Sequence, residues 1–197
     1  MLKLFLIKSA YHSLTGLGAP ARIFFGLRSF GMSSKGVPRS QERPSQQSPM
    51  LLTSSAFGSG EMIPKKYTCE GENVSPPLEI LNVPIEAQSL ALVVHDGDAP
   101  TAGGWTHWVV FNIDPLTIQI PAGSFPEGAI EGETSAGVSG YGGPCPPSGT
   151  HHYEFRLCAL DSHLALGERA READLEQAMV GHIISQTTLI GLYHKKT

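Results

Sequence analysis

The 197-residue sequence contains little cysteine, and its three cysteines, Cys69, Cys145 and Cys158, form no CxxC pair. A disulfide framework normally uses an even number of cysteines, and a thiolate zinc site uses closely spaced pairs of them. The sequence therefore predicts neither kind of site. We expect all three cysteines to be buried or partly buried free thiols in a reducing compartment.

Long apolar runs and phosphate-binding loops are also missing from the sequence. Its apolar runs are too short to span a bilayer, so no membrane span is expected. There is no GxxxxGK[ST] motif, and the glycine-rich stretch 140–143 precedes a strand-like segment rather than a helix. These absences exclude the P-loop and dinucleotide-binding mechanisms.

Basic residues are scarce outside the first quarter of the chain. Residues 1–50 carry seven Lys or Arg and one acid, for a net charge of +6, whereas the remaining 147 residues have a net charge of −10. An acidic domain without a basic stripe is a poor partner for nucleic acid. We therefore expect no nucleic-acid binding.

The segment 1–50 is predicted to be a disordered N-terminal extension, followed by a domain at 51–197. It is poor in acids, and its part 34–50 is rich in Ser, Pro and Gln with almost no apolar residues, so this part cannot bury enough surface to order itself. Its composition is typical of a transit peptide, which predicts a mitochondrial or other organellar location. The alternatives are a plain tail or a start at Met32 or Met50, with a cytoplasmic location.

Four segments of the domain are predicted to be β-strands, two of them nearly continuous apolar runs and one alternating. They are residues 77–83, 89–95, 106–113 and 152–160, and a last strand is expected at 188–193. One helix is predicted over residues 172–186, with acids in its first turn and an apolar stripe that includes His182. Short strands joined by long loops, with one late helix, favour a mainly β protein of the Greek-key β-sandwich class with one or two peripheral helices.

Polar side chains that could form a pocket lie at strand ends or in stiff loops. Asp96 and Asp98 follow the first apolar strand, and His107 lies early in the next one. Tyr141 and His151 flank a Gly- and Pro-rich loop whose backbone is restricted. If the two strands are antiparallel neighbours, an aspartate can approach His107.

Such a cluster predicts a small anion-binding concavity. A carboxylate that accepts from one imidazole nitrogen fixes the tautomer of the ring, and a Tyr hydroxyl and freed backbone N–H groups add donors. A phosphate monoester matches this set of groups. The competing interpretation makes His107 a core histidine and Asp98 a turn residue. We expect His152, His163 and His194 to be solvated, and His95 and His182 to be structural.

The segments NVSPPLE, SLALVVHDGDAP, HWVVFNI, GYGGPCPPSGTHHYEF and AMVGHII occur in this order over residues 53–194. In this combination the sequence resembles the phosphatidylethanolamine-binding protein family, in particular its bacterial-type Raf-kinase-inhibitor-like branch. The resemblance implies a β-sandwich with a small pocket at one end that binds phosphate or phosphoryl head groups. The ligand-binding residues that it implies are Asp96, Asp98, Pro100, His107, Tyr141, Gly143, Cys145, Pro147, His151 and Tyr153.

These observations predict a non-catalytic binding protein, without cofactor or metal, that captures a phosphorylated small molecule, a phospholipid head group or a phosphorylated peptide. The resemblance adds a kinase or protease as a protein partner. We expect the protein to be a monomer or a homodimer. A hydrolase that uses the His and Asp side chains on an ester or phosphoester is the alternative, with Ser139 or Ser148 as nucleophile, although neither lies in a GxSxG motif. A third interpretation is a metal site formed by Asp96, Asp98, His107 and His151.

Overall fold

The computed structural model describes residues 48–195, so the predictions for residues 1–47 lie outside the described part of the chain. The described chain contains nine strands, one α-helix and a 3-10 turn at Lys65–Tyr67. The strands are β1 (Leu51–Thr53), β2 (Glu61–Met62), β3 (Leu78–Leu81), β4 (Ser89–Asp96), β5 (Trp105–Ile113), β6 (Gln119–Ile120), β7 (Ile130–Glu131), β8 (Thr150–Leu160) and β9 (Ile183–His194), and α1 is Glu172–Met179.

The strands form two sheets. The larger sheet has six strands in the order β2-β9-β8-β4-β5-β7, and the smaller has three in the order β1-β3-β6. Strand β4 lies between β5 and β8 and is antiparallel to both. Because Asp96 is paired with Trp105 on one side and with Tyr153 on the other, the end of β4 meets the starts of β5 and β8 at one edge of the molecule.

The main core lies between the two sheets. Large apolar side chains of the smaller sheet, such as Ile80, pack against those of the larger sheet, such as Leu92 and Phe155. Tyr153 and Trp108 belong to the same cluster and are fully buried or nearly so. The predicted β-sandwich is therefore confirmed, and its core ends at the edge that holds the candidate site.

A second, smaller core lies on the opposite face of the large sheet. There Leu175 and Met179 of α1 pack with Val93, Val109 and Phe111. Strand β4 is thus buried on both faces, as its continuous apolar sequence predicted. Within residues 48–195, no helix is long and apolar enough to cross a membrane.

The helix is shorter than the sequence predicted, and His182 is not on its buried face. The chain leaves the helix at Val180, and Gly181 adopts a φ of +82°, the left-handed conformation that commonly ends helices. His182 is exposed and hydrogen-bonds through Nδ1 to Asp161 at 2.7 Å. The expectation of a core His182 is therefore wrong, and the segment predicted as the end of the helix begins β9 instead.

Two of the three cysteines form a disulfide, which corrects the prediction of three free thiols. Cys69 and Cys145 are bonded across a sequence separation of 76 residues, with their Cα atoms 5.4 Å apart. The spacing along the chain contains no sign of this pair, because two loops far apart in sequence meet only in the folded state. Cys158 is a buried free thiol, as predicted.

Candidate functional site

A cavity of about 340 Å³ opens where the end of β4 meets the starts of β5 and β8. The three strands supply its polar wall, and the loop before β8 supplies its rim. Its lining residues are Asp96, Ala99, Pro100, Thr101, Trp105, His107, Gly142, Gly143, Cys145, Pro146, Pro147, His151 and Tyr153. Eight of the ten residues predicted to bind a ligand line this cavity, and their binding role stays a prediction.

The cavity contains a buried hydrogen-bonded pair, the Asp96 carboxylate and the His151 imidazole. Nδ1 of His151 lies 2.8 Å from Oδ2 of Asp96, and the two residues are only 7% and 3% exposed. Since a carboxylate oxygen accepts, Nδ1–H of His151 is the donor and its Nε2 is the nitrogen left for the cavity. The other oxygen of Asp96 accepts the backbone N–H of Asp98 at 3.0 Å.

His107 is the second imidazole of the cavity wall, and the loop backbone fixes its tautomer. Its Nδ1 lies 2.6 Å from the carbonyl oxygen of Gly142, which can only accept, so Nδ1 carries the proton. Burial lowers the pKa of His107, although the hydrogen bond to Gly142 acts in the opposite direction. At neutral pH the ring is therefore uncharged and presents Nε2 as an acceptor.

Tyr153 supplies a hydroxyl group to the same wall. The residue is fully buried, and its hydroxyl lies beside the Asp96 carboxylate and the backbone N–H of Cys145. Neither contact is a well-formed hydrogen bond, and no other residue among 48–195 pairs with this hydroxyl. Burial raises the pKa of Tyr153, and the neighbouring Asp96 carboxylate raises it further, so the hydroxyl stays protonated. Its ring contacts that of His107 edge-on, with ring centroids 5.2 Å apart.

Tyr141, whose hydroxyl was expected to add a donor to the pocket, does not line the cavity. Its hydroxyl donates to the carbonyl oxygen of Tyr67 at 3.0 Å, and its ring packs edge-on against Trp108 at 5.6 Å. The side chain thus lies on the other side of the glycine-rich loop. There it anchors the loop instead of facing a ligand.

Asp98 lies outside the cavity lining as well. Its Oδ2 accepts from the backbone N–H of His152 at 2.8 Å and lies 2.7 Å from Nδ1 of the same residue. The hydrogen bond from the His152 side chain lowers the pKa of Asp98. Strand alternation places His152 on the face opposite to His151, as predicted, and its side chain is exposed.

Several lining residues were not predicted, and one of them carried a signal in the sequence. Trp105 lies two residues before His107 on β5, and residues at this spacing share one face of a strand. Ala99, Thr101, Gly142 and Pro146 belong to loops, whose paths alternation does not reveal.

The structure also shows the surroundings of the remaining histidines and bears on the interpretation of a metal site. His95 is half-buried and hydrogen-bonds through Nδ1 to Glu172 of α1 at 2.8 Å, which agrees with a structural role. His163 and His194 are exposed, as expected. In the described part of the chain, no three His, Cys, Asp or Glu side chains form a group that could hold a metal ion.

Known proteins match both the sequence and the fold. The profile of the phosphatidylethanolamine-binding protein family matches residues 53–194. A protein of Methanothermobacter thermautotrophicus, named UPF0098 protein, is 50% identical over 151 residues, which are 74% of this chain and 99% of that protein. A protein of the same name from Chlamydia trachomatis is 44% identical and is covered over 99% of its length.

Solved structures support the same assignment. A homologue of phosphatidylethanolamine-binding protein from Chlamydia trachomatis is 43% identical and superposes with a TM-score of 0.72, covering 75% of this chain and 99% of that one. YbcL of Escherichia coli, described as a member of the mammalian family of this name, is 31% identical and has the same TM-score, with coverages of 76% and 100%. The chain belongs to the phosphatidylethanolamine-binding protein family.

Proposed function

We propose that this protein is a non-catalytic binding protein for phosphoryl groups, either free phosphate or the head group of a phosphorylated small molecule or phospholipid. The observation that carries the proposal is the buried Tyr153 hydroxyl, which lines the cavity beside the Asp96 carboxylate and the Cys145 backbone N–H but makes no hydrogen bond of full geometry with any described residue. Buried polar groups are nearly always hydrogen-bonded, because an unpaired one costs about 1–3 kcal/mol. A ligand oxygen in the cavity would accept from this hydroxyl.

The two imidazoles complete a set of groups that suits a singly charged phosphoryl group. Nε2 of the neutral His107 would accept a hydrogen bond from a P–OH group of the ligand. Nε2 of His151, whose Nδ1–H donates to Asp96, is the second imidazole nitrogen available to the ligand. The Asp96 carboxylate beside them would repel a second negative charge on the ligand. A phosphoryl monoanion therefore fits better than a dianion.

The size of the cavity restricts the ligand. About 340 Å³ lies at the lower end of the range for small-molecule sites, which begins near roughly 300 Å³. A phosphate or a short head group fits such a volume, and the apolar proline rim would contact the carbon atoms beside it. The proposal is therefore limited to the small ligand and does not extend to a kinase or protease partner.

The hydroxyl and thiol groups near the cavity favour binding over hydrolysis. Ser139 and Ser148 are exposed and do not line the cavity. The Thr101 hydroxyl lines it but donates to the carbonyl oxygen of Gly104 at 2.6 Å, and Cys145 is held in the disulfide. None of them is hydrogen-bonded to His107 or His151 within the described residues, as an activated nucleophile would be.

Titration of inorganic phosphate and phosphorylethanolamine into the full-length protein, followed by the NMR resonances of its His and Tyr side chains, tests this proposal. We expect both ligands to shift His107, His151 and Tyr153. Tyr153→Phe should raise the Kd for phosphate about tenfold or more, because a hydrogen bond to a charged group contributes roughly 1.5–3 kcal/mol.

Tyr141→Phe is the matched control, because its hydroxyl bonds to Tyr67 outside the cavity. This variant should bind phosphate within about twofold of the unmodified protein while losing roughly 1 kcal/mol of stability. Equal weakening of binding by the two substitutions, or no ligand-induced shift of any of the three cavity residues, would overturn the proposal.

A further inference from the structure

The disulfide lies at the rim of the candidate site. Cys145 lines the cavity, and Cys69 follows the 3-10 turn Lys65–Tyr67 in a loop next to it. Both cysteines are exposed to solvent, in contrast to the buried Cys158. A thiolate in solution can therefore reach this disulfide while the domain remains folded.

The disulfide is one of several bonds between the same two loops, which we call the rim segment (residues 142–147) and the base loop (residues 67–73). Cys69 N–H donates to the carbonyl oxygen of Pro144 at 3.1 Å, and Gly143 N–H donates to Oδ1 of Asn73 at 2.8 Å. The loops are in tight contact at Gly143, where an added Cβ would lie 2.8 Å from Cα of Thr68. The rim segment thus rests directly on the base loop.

Few other bonds hold the rim segment in place. It belongs to no strand or helix. Among the described residues, two hydrogen bonds join it to the large sheet, one from Gly142 N–H to the His107 carbonyl and one from the His107 ring to the Gly142 carbonyl. The Cys145 backbone also contacts the Tyr153 hydroxyl, and the preceding Tyr141 packs against Trp108. The position of the rim segment, and with it the orientation of His107, therefore depends on the attachment to the base loop as well as on these contacts. The disulfide is the covalent part of that attachment.

We propose that the Cys69–Cys145 disulfide is a site of thiol–disulfide exchange whose redox state sets the affinity of the cavity for phosphoryl ligands. The reductant is a dithiol, small or protein-borne. One of its thiolates attacks a sulfur of the bond, and the other resolves the mixed disulfide. Two electrons and two protons pass from the dithiol to the protein, so Cys69 and Cys145 become thiols and the dithiol becomes a disulfide. Exposed disulfides are the exchangeable ones, whereas buried structural ones resist reduction.

Reduction should loosen the rim segment without unfolding the sandwich. Of the two loops, only Tyr67 packs against one of the described cores, and it does so as a partly buried residue. A mobile rim must be ordered again when a ligand binds, and this ordering weakens binding. The effect on affinity rests on the proposed phosphoryl-binding function, whereas the loosening of the rim does not.

The test compares the full-length protein in its oxidised form, after treatment with dithiothreitol, and as the double variant Cys69→Ser/Cys145→Ser. Maleimide labelling under native conditions counts the reactive thiols, with Cys158 as the buried thiol that should react only after denaturation. Hydrogen exchange measures the mobility of the rim segment and of β4 and β8, and titration with inorganic phosphate gives the Kd.

We expect dithiothreitol to release two reactive thiols from the folded protein, to speed amide exchange in the rim segment severalfold, and to raise the Kd for phosphate by about tenfold. The double variant should match the reduced protein and should not respond to dithiothreitol. The protection of the β4 and β8 backbone amides against hydrogen exchange should be the same in all three forms.

Four results would overturn the inference: a disulfide that is reduced only after denaturation, loss of protection in β4 and β8 on reduction, a Kd that is the same in both redox forms, or rim exchange that does not change. If phosphate binds neither form, the proposed function fails instead. The exchange site is then judged on the rim amides alone, which must still become more mobile on reduction.

Discussion

The Asp96 carboxylate and the His151 imidazole are joined across neighbouring strands by a buried hydrogen bond of 2.8 Å. Asp96 is the last residue of β4, and His151 is the second residue of β8. The bond therefore ties the end of one strand to the start of another at the edge that bears the cavity. It also orients the imidazole so that Nε2 is the nitrogen left for a ligand.

Asp96→Asn should destabilise the protein by about 1–3 kcal/mol, because the amide cannot replace the buried charged acceptor of His151 without weakening the hydrogen bond. Urea unfolding gives this value. Asp98→Asn is the matched control in the same loop, since Asp98 is 47% exposed and bonds to an exposed histidine. It should change stability by no more than about 0.5 kcal/mol. Similar losses for both variants would contradict the assigned difference in burial.

The lowered pKa of His107 predicts a loss of stability in mild acid. As the pH falls below about 6.5, the unfolded chain takes up a proton at this residue before the folded chain does. The stability is therefore complete above the unfolded pKa and declines as the pH falls toward the folded pKa, by up to about 1.4 kcal/mol per pH unit.

Urea unfolding between pH 5 and 8 measures this slope, and His107→Asn is the variant to compare. Its side-chain amide can still donate to the Gly142 carbonyl but does not titrate. We expect the slope to be smaller in the variant. A slope that is unchanged would mean that other groups cause the acid sensitivity.

Gly104→Ala should disturb the edge that bears the cavity more than Gly103→Ala. Both glycines have positive φ, +78° and +84°, so each substitution carries a backbone cost of about 1–2 kcal/mol. A Cβ at Gly104 would also clash with Nε2 of His95 and lie 2.6 Å from the carbonyl oxygen of Asp96, whereas one at Gly103 would meet nothing within 4 Å.

We therefore expect Gly104→Ala to lose about 1–3 kcal/mol more than Gly103→Ala in chemical denaturation. Its NMR spectrum should show shifts at His95 and His151, and that of Gly103→Ala should not. Equal stability of the two variants would show that the neighbourhood of His95 adapts without cost.

The parts of the site that the sequence predicted correctly are those controlled by strands. The apolar run of β4 places Asp96 at its end, and alternation along β8 separates His151 and Tyr153 on one face from His152 on the other. The sequence predicts that Asp96 approaches His107 only if β4 and β5 are antiparallel neighbours, and the structure has this pairing.

The errors concern loops and contacts between distant segments. Tyr141 adjoins the glycines, which favours a place in the pocket, but its bond to the carbonyl of Tyr67, 74 residues earlier in the chain, determines where its side chain lies. The disulfide likewise joins loops whose meeting no local pattern reveals. The early end of the helix did have a local signal, because Gly181 is a typical residue just beyond a helix C-terminus.

The disulfide also divides the chain topologically. The bond between Cys69 and Cys145 closes a covalent ring that contains β3 to β7, and with them Asp96 and His107, while His151 and Tyr153 on β8 lie outside it. The two halves of the cavity wall are therefore not equally secured against chain cleavage. A cut in the exposed stretch 121–125 opens the ring but leaves both pieces joined. A cut in the loop between β8 and α1 instead leaves α1 and β9 held only by non-covalent contacts with the rest of the domain.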